Sequence, residues 1–153
     1  MKVDFATLLA ESDFITVHCP RNSETLGMFN AEAFARMKPN AFFVNTARGK
    51  IHEEGALLEA LNARRIAGAG IDVFDVEPPP PDHPLLHLDT VMATPHIAGA
   101  TVETSYDMTK AAAEQWIDLL RGRVPPRLVN PEIWSRYSDR FEQIIGFRPD
   151  PIG

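Results

Sequence analysis

Apolar runs and helical periodicities alternate along this chain. Residues 4 to 11 (DFATLLAE) place Phe5, Leu8 and Leu9 at helical spacing, and DFITVHC at 13 to 19 follows as a β-branched, nearly continuous apolar run. The pattern predicts a helix and then a strand. Asn30 is placed to cap a short helix through Met37, Lys38-Pro39-Asn40 stops it, and AFFVNT (41 to 46) reads as a second strand. A third unit repeats the scheme. Glu53 and Glu54 suit a helix N-terminus, Leu57, Leu58 and Leu61 supply its apolar face, and AGAGIDVF (67 to 74) is a strand that runs into an acid. After a proline-rich loop at 78 to 84, TVMATP (90 to 95) predicts a short fourth strand. Thr101 can then cap a long helix to about Arg121, with Met108, Ala112, Trp116, Leu119 and Leu120 on or near one face. From Pro125 onward, prolines and mixed polarity predict a tail that leans on the core, a partner subunit or a further domain.

Strands apolar on both faces and separated by helices predict a parallel sheet with helices on each side, an α/β fold. Composition agrees with one such domain: 153 residues, 44% hydrophobic and 24% charged. A formal net charge of -6, with Lys and Arg dispersed, argues against a nucleic-acid partner. The sequence has no run of 18 apolar residues and no basic-then-apolar start, so no membrane partner is expected and the cytoplasm is the expected compartment. The single Cys19 cannot form an internal disulfide and suits reducing conditions.

In parallel α/β sheets, ligands bind beyond the carboxyl ends of the strands. That rule sorts the polar residues. Thr46, Ala47 and Arg48 follow the second strand, Asp72, Asp75 and Glu77 lie at or after the end of the third, and His96 follows the fourth. Taken singly, an Arg at a strand end is usually a surface or ion-pair residue, and a lone His is usually structural or solvated. Convergence on one rim changes the reading. A guanidinium grips a carboxylate with a planar fork, an imidazole exchanges a proton near neutral pH, and a carboxylate hydrogen-bonded to that imidazole favours its charged form and fixes its tautomer. A carboxylate anchor plus a proton donor is what reduction of a 2-keto acid requires.

Four stretches, LLAESDFITVHCPRNSETLGMFN, FFVNTARGKIHEEGALLEAL, AGAGIDVFDVEPPPPDHPLL and ATPHIAGAT, together resemble the D-isomer-specific 2-hydroxyacid dehydrogenases from about residue 5 to residue 122. The resemblance implies an NAD(P)-dependent oxidoreductase acting on a small 2-hydroxy or 2-keto acid. It implies a catalytic set of Arg48, which holds the substrate carboxylate, His96, which is the acid/base, and Glu77, which tunes the His. It further implies that Asp72 contacts the nicotinamide side of the cofactor. His18, Cys19 and Pro20 would lie by the adenosine with Thr25 near them. Thr46, Ala47 and Gly99 would line the cleft, which Arg48 and His96 also border. The related formate dehydrogenases carry Gln where this chain has Glu77, a difference that favours a hydroxyacid.

A dinucleotide fold also needs a glycine-rich turn after its first strand and an acid about 20 residues on, and neither is found in this sequence. Gly68 and Gly70 form the one G-x-G, inside the third strand and without a third glycine, which reads as close helix-sheet packing. The expected fold is therefore an incomplete Rossmann-like, doubly wound sheet of about four strands with flanking helices. Residues 1-122 would form the second half of a cofactor domain, and 123-153 a tail that packs on a substrate domain or a partner. In the usual strand order, 13 to 19 would pair with a strand outside this chain, so either a second copy covers that edge, as in a homodimer or larger oligomer, or the chain is part of a longer one. The i, i+4 pair His83 and His87 sits in a proline run with no further ligand, and no metal site is expected. NAD and NADP are not distinguished. Two functional classes stand: an oxidoreductase or the part of one that holds its acid/base groups, and a non-catalytic dimerising or cofactor-sensing module, as in the related corepressor proteins.

Overall fold

The computed structural model describes residues 2-152. Its elements are α1 (Phe5–Glu11), β1 (Phe14–Val17), α2 (Ala31–Arg36), β2 (Phe42–Asn45), α3 (Glu54–Asn62), β3 (Gly68–Ile71), β4 (Val91–Ala93), α4 (Val102–Leu120) and α5 (Trp134–Ile145), with 3-10 turns at Pro84–His87 and Pro131–Ile133. Contacts divide the chain into two compact units, Met1–Gly99 and Ala100–Gly153.

Local chemistry starts these helices where the sequence places them. Asp4, Asn30 and Thr101 each accept a hydrogen bond from the backbone N–H three residues on, which satisfies one of the donors that a first turn leaves open. Glu53 sits at the start of α3 but its side chain makes no capping bond. Strands β1 to β4 form one parallel sheet in the order β1-β2-β3-β4, with Phe14 opposite Phe42 and Phe42 opposite Gly68. Each crossover steps to the next strand in the same direction. Right-handed crossovers then place α2 and α3 on one face.

The core lies under those helices. Ile15, Val17, Phe43, Ala69 and Ile71 point into it from the strands, and Leu9, Phe34, Leu57 and Leu61 point into it from the helices. Phe34 meets Phe43 edge-on, with ring centroids 5.2 Å apart, and Phe29 lies 4.9 Å from Phe43.

The opposite face of the sheet carries exposed apolar side chains. Phe14 is 72% exposed and Met92 is 74% exposed, although the sequence of these strands suits burial on both faces. Phe14 and Phe42 shield each other by stacking, with centroids 5.5 Å apart. The glycine pair of β3 serves this face too. A Cβ on Gly68 would lie 2.8 Å from the Thr90 carbonyl oxygen and 3.0 Å from the Phe42 ring, and one on Gly70 would touch the Val44 methyls. The close approach is between strands, and the helix-sheet reading of Gly68 and Gly70 is corrected accordingly.

A different glycine ties the strand ends together. A Cβ on Gly49 would collide with the Phe74 carbonyl oxygen, which is backbone and has no rotamer through which to yield. The next residue, Lys50, donates its N–H to Asp75 Oδ1 at 2.7 Å. The loop after β2 is thereby bolted to the loop after β3. Gly49→Ala is expected to destabilise this unit by about 1–3 kcal/mol or more, as overpacking against an immobile neighbour does, and a urea midpoint equal to that of the parent chain would contradict the contact.

In the second unit, α4 has the predicted cap and length, yet none of its residues is buried. The tail contains a helix that its prolines and mixed polarity did not predict. In α5, Trp134 stacks on Tyr137 with centroids 4.8 Å apart and its indole N–H donates to the Asp150 carbonyl at 2.9 Å, while Phe141 meets Phe147. Gly146, at φ 90°, ends the helix in the left-handed conformation that glycine takes without penalty.

Candidate active site

All the polar residues singled out at strand ends lie on the carboxyl edge of the sheet, and a single carboxylate organises the part beyond β3 and β4. Asp72 follows β3 directly and is buried. Its Oδ1 accepts from the Thr94 hydroxyl at 2.5 Å and from the Ile97 N–H at 2.9 Å, and its Oδ2 accepts from the Ala98 N–H at 2.9 Å. Its own carbonyl accepts from the His96 N–H at 2.9 Å. Burial works to raise the Asp72 pKa, but the bonds from Thr94, Ala98 and Ile97, together with the charge of His96, outweigh it and hold the carboxyl below its ordinary value. These bonds fold the loop after β4 back over Asp72 and maintain His96 at φ 55°, a left-handed conformation uncommon for a residue with a Cβ.

That loop delivers His96 to Glu77. His96 Nδ1 lies 2.8 Å from Glu77 Oε2, and Glu77 Oε1 accepts from the Phe74 N–H at 3.0 Å. The bond from His96 and then that from Phe74 lower the Glu77 pKa against a smaller effect of burial, so the group is a carboxylate at neutral pH. A carboxylate only accepts, so Nδ1 carries a hydrogen and Nε2 is the nitrogen left to exchange a proton. Both side chains remain partly open to solvent and border a cavity of about 310 Å³ that Asp72, Phe74, Pro78 and Thr94 also line.

Arg48 lies elsewhere on the edge. It follows β2, is exposed, and its Nη1 donates to the Ala47 carbonyl at 2.6 Å. It borders a second cleft of about 610 Å³ with His18, Cys19, Pro20, Arg21, Thr46 and Ala47. The structure thus brings Glu77 and His96 into contact, and it groups Arg48 with the residues assigned to the cofactor. Thr25 stands behind that cleft. Its hydroxyl donates to the Pro20 carbonyl at 2.7 Å and accepts from the Asn22 N–H at 2.9 Å, which shapes the loop. His18 Nε2 meets the Thr16 hydroxyl at 2.8 Å. Gly99 is exposed, and a Cβ there would meet nothing within 4 Å.

His83 and His87 diverge. His83 Nε2 faces Glu54 Oε2 at 3.2 Å, and His87 Nε2 faces the Pro81 carbonyl at 3.0 Å. Glu54 also accepts from the Asp75 N–H at 2.8 Å, so the helix-start acid of the sequence is a brace between α3 and the loop after β3.

Two buried polar residues beside the Arg48 segment, Asn45 and His52, carry no role in the sequence analysis. Asn45 ends β2, and its side chain meets His52 Nδ1 at 2.9 Å. Burial lowers the pKa of His52, against the opposing charges of Glu54 and Asp75, and keeps the ring neutral. A signal for Asn45 does exist. With a period of two it shares the inward face with Phe43, where an amide must find partners. Nothing local marks His52.

A four-stranded parallel sheet with acid and imidazole gathered at its carboxyl edge defines part of a nucleotide-binding α/β domain. The chain belongs to the D-isomer specific 2-hydroxyacid dehydrogenase family: the model of that family's NAD binding domain matches residues 1–98. It is 45% identical over 130 residues to a glyoxylate reductase of Thermofilum pendens, covering 85% of this chain and 38% of that protein. It is 46% identical over 130 residues to a glyoxylate/hydroxypyruvate reductase B of Escherichia coli, covering 85% and 40%. Among solved structures, the TT0316 protein of Thermus thermophilus aligns with a TM-score of 0.78 at 41% identity, over 83% of this chain and 40% of that one. A D-lactate dehydrogenase with NAD+ from Lactobacillus jensenii aligns with a TM-score of 0.76 at 32% identity, over 83% and 42%. The chain spans about two fifths of the length of these relatives. Among the described residues, no helix is long and apolar enough to cross a membrane.

Proposed function

We propose that this chain carries the carboxylate anchor and the acid/base pair of an NAD(P)-dependent D-2-hydroxyacid dehydrogenase. The His96–Glu77 contact of 2.8 Å on a loop organised by Asp72 supports this reading most directly. Arg48, at the end of the neighbouring strand, presents a fork for the carboxylate of a 2-keto acid. His96 gives its Nε2 proton to the carbonyl oxygen, and Glu77 keeps the ring oriented through Nδ1. NADH or NADPH, when bound, supplies the hydride that the carbonyl carbon accepts.

The residues present fit one wall of a dinucleotide cleft. His18, Cys19, Pro20, Thr46, Ala47 and Arg48 form a continuous concave lining at the strand ends, with Thr25 shaping it from behind. In this reading Asp72 contacts the nicotinamide side, with Oδ2 keeping an acceptor position beyond its bond to Ala98, while Gly99 and His96 border the cleft. This sequence contains no phosphate-cradling G-x-G-x-x-G turn. Residues 1-122 are assigned to the second half of the cofactor domain, and 123-153 to a tail for a substrate domain or partner. The unpaired outer edge of β1 and the exposed Phe14 suit pairing with a second copy, and the free thiol of Cys19 suits the cytoplasm.

The test is a chimera in which this chain replaces the matching 130 residues of the Thermofilum pendens glyoxylate reductase. The chimera is expected to oxidise NADH or NADPH when given glyoxylate or hydroxypyruvate. The isolated chain, titrated with NADH and followed by nucleotide fluorescence, is expected to bind weakly or not at all and to show no turnover. A folded chimera that binds NADH and reduces neither acid would end the proposal.

A further inference from the structure

Asn45 and His52 have no role in the chemistry above, yet both are fully buried, at 0% exposure, beside the segment that carries Arg48. The orientation of the Asn45 amide follows from its neighbours. The Ala47 N–H needs an acceptor and takes Oδ1 at 2.9 Å, while the Arg48 carbonyl needs a donor and takes Nδ2 at 3.1 Å. The second hydrogen on Nδ2 then points to His52 Nδ1 at 2.9 Å, and that nitrogen has to be a bare acceptor. The His52 proton is left on Nε2, which is buried with no partner among the described residues. The ring therefore makes its one side-chain hydrogen bond through Nδ1, to Asn45.

We propose that His52, acting through Asn45, is a positioning residue for Arg48: it orients the amide that grips the backbone of Ala47 and Arg48 and so sets where the guanidinium starts. The consequence for substrate rests on the reading of Arg48 as the carboxylate anchor; the placement of the backbone does not. Packing alone is a competing account, since the His52 ring lies 5.5 Å from that of Phe43 within the aromatic core. The guanidinium adds a reason for precision. It is exposed and its Nη1 turns back onto the Ala47 carbonyl, so its direction follows the two peptides that Asn45 holds.

The two accounts separate on this chain with His52→Phe, which keeps an aromatic ring and removes the acceptor, and His52→Gln, which returns one. Amide exchange at Ala47 is expected to quicken in His52→Phe by about tenfold, the equivalent of one hydrogen bond. Amides of the β2–β3 ladder should keep their rates, and His52→Gln should restore most of the protection at Ala47. Exchange at Ala47 within twofold of the unaltered chain would leave only packing. The unaltered chain gives an independent reading through long-range proton–nitrogen correlations of the His52 ring: a bare Nδ1 is expected, and a protonated Nδ1 would overturn the proposal even if the Phe variant fails to fold. In the chimera, His52→Phe is expected to raise KM for the keto acid with kcat retained, and an unchanged KM would sever His52 from Arg48. Because exchange and tautomer are read without turnover, an inactive chimera would count against the dehydrogenase reading and leave this one standing.

Discussion

Replacing His96 by Gln in the chimera is expected to lower kcat by about 100- to 10,000-fold, the range that a positioned proton donor contributes. Gln is close in length and its amide NH2 can still donate to Glu77, so KM for the keto acid should change little. The effect follows from the pairing at Glu77. With Nδ1 committed to a carboxylate at 2.8 Å, the ring presents a single working nitrogen, and Gln offers no proton with which to replace it. Glu77→Gln probes the same contact from the other side and should act through His96. The measurement is steady-state reduction of glyoxylate across pH. A His96→Gln enzyme within tenfold of the parent in kcat would show that some other group protonates the oxygen.

Arg48→Lys is expected to act on the other kinetic constant. Lysine keeps the charge but loses the planar fork, so one of two charge-assisted bonds to the substrate carboxylate disappears. A bond of that kind contributes about 1.5–3 kcal/mol, which converts to about a 10- to 150-fold rise in KM. The backbone that carries residue 48 should be undisturbed, because Asn45 holds its carbonyl and Gly49 and Lys50 fix the following turn against Phe74 and Asp75. The change is therefore confined to the side chain. An unchanged KM would remove Arg48 from the carboxylate and return it to the bland role of a surface cation beside the cofactor cleft.

The rim positions of these two residues are legible in the sequence, because each follows a strand of a parallel sheet. The braces beneath them were less so. Asp72 could be assigned to the rim from sequence, but its bonds to Ile97 and Ala98 cross 25 and 26 residues, and no local pattern announces a partner at that distance. Glu54 read as an acid favouring a helix start, an inference from the helix dipole that holds for its position. Its carboxylate is nevertheless spent on Asp75 and His83. The helix α5 was hidden because the flanking prolines suggest irregular chain, whereas Trp134 and Phe141 become a core only when Tyr137 and Phe147 meet them.

By itself, the sequence determined what short-range forces control: the alternation of strands and helices, the caps at Asn30 and Thr101, and the arrival of Arg48, Glu77 and His96 on one edge of a parallel sheet. Periodicity of two and of 3.6 residues and the needs of a first helical turn are properties of neighbouring residues, and they survive in any context. Tertiary structure alone decided which of those side chains touch. It closed His96 onto Glu77, left Arg48 with the residues of the second cleft, left Phe14 and Met92 exposed, and buried Asn45 with His52. Such contacts depend on several chain segments meeting at once, and their free energy comes from removing polar groups from water and pairing them across that distance.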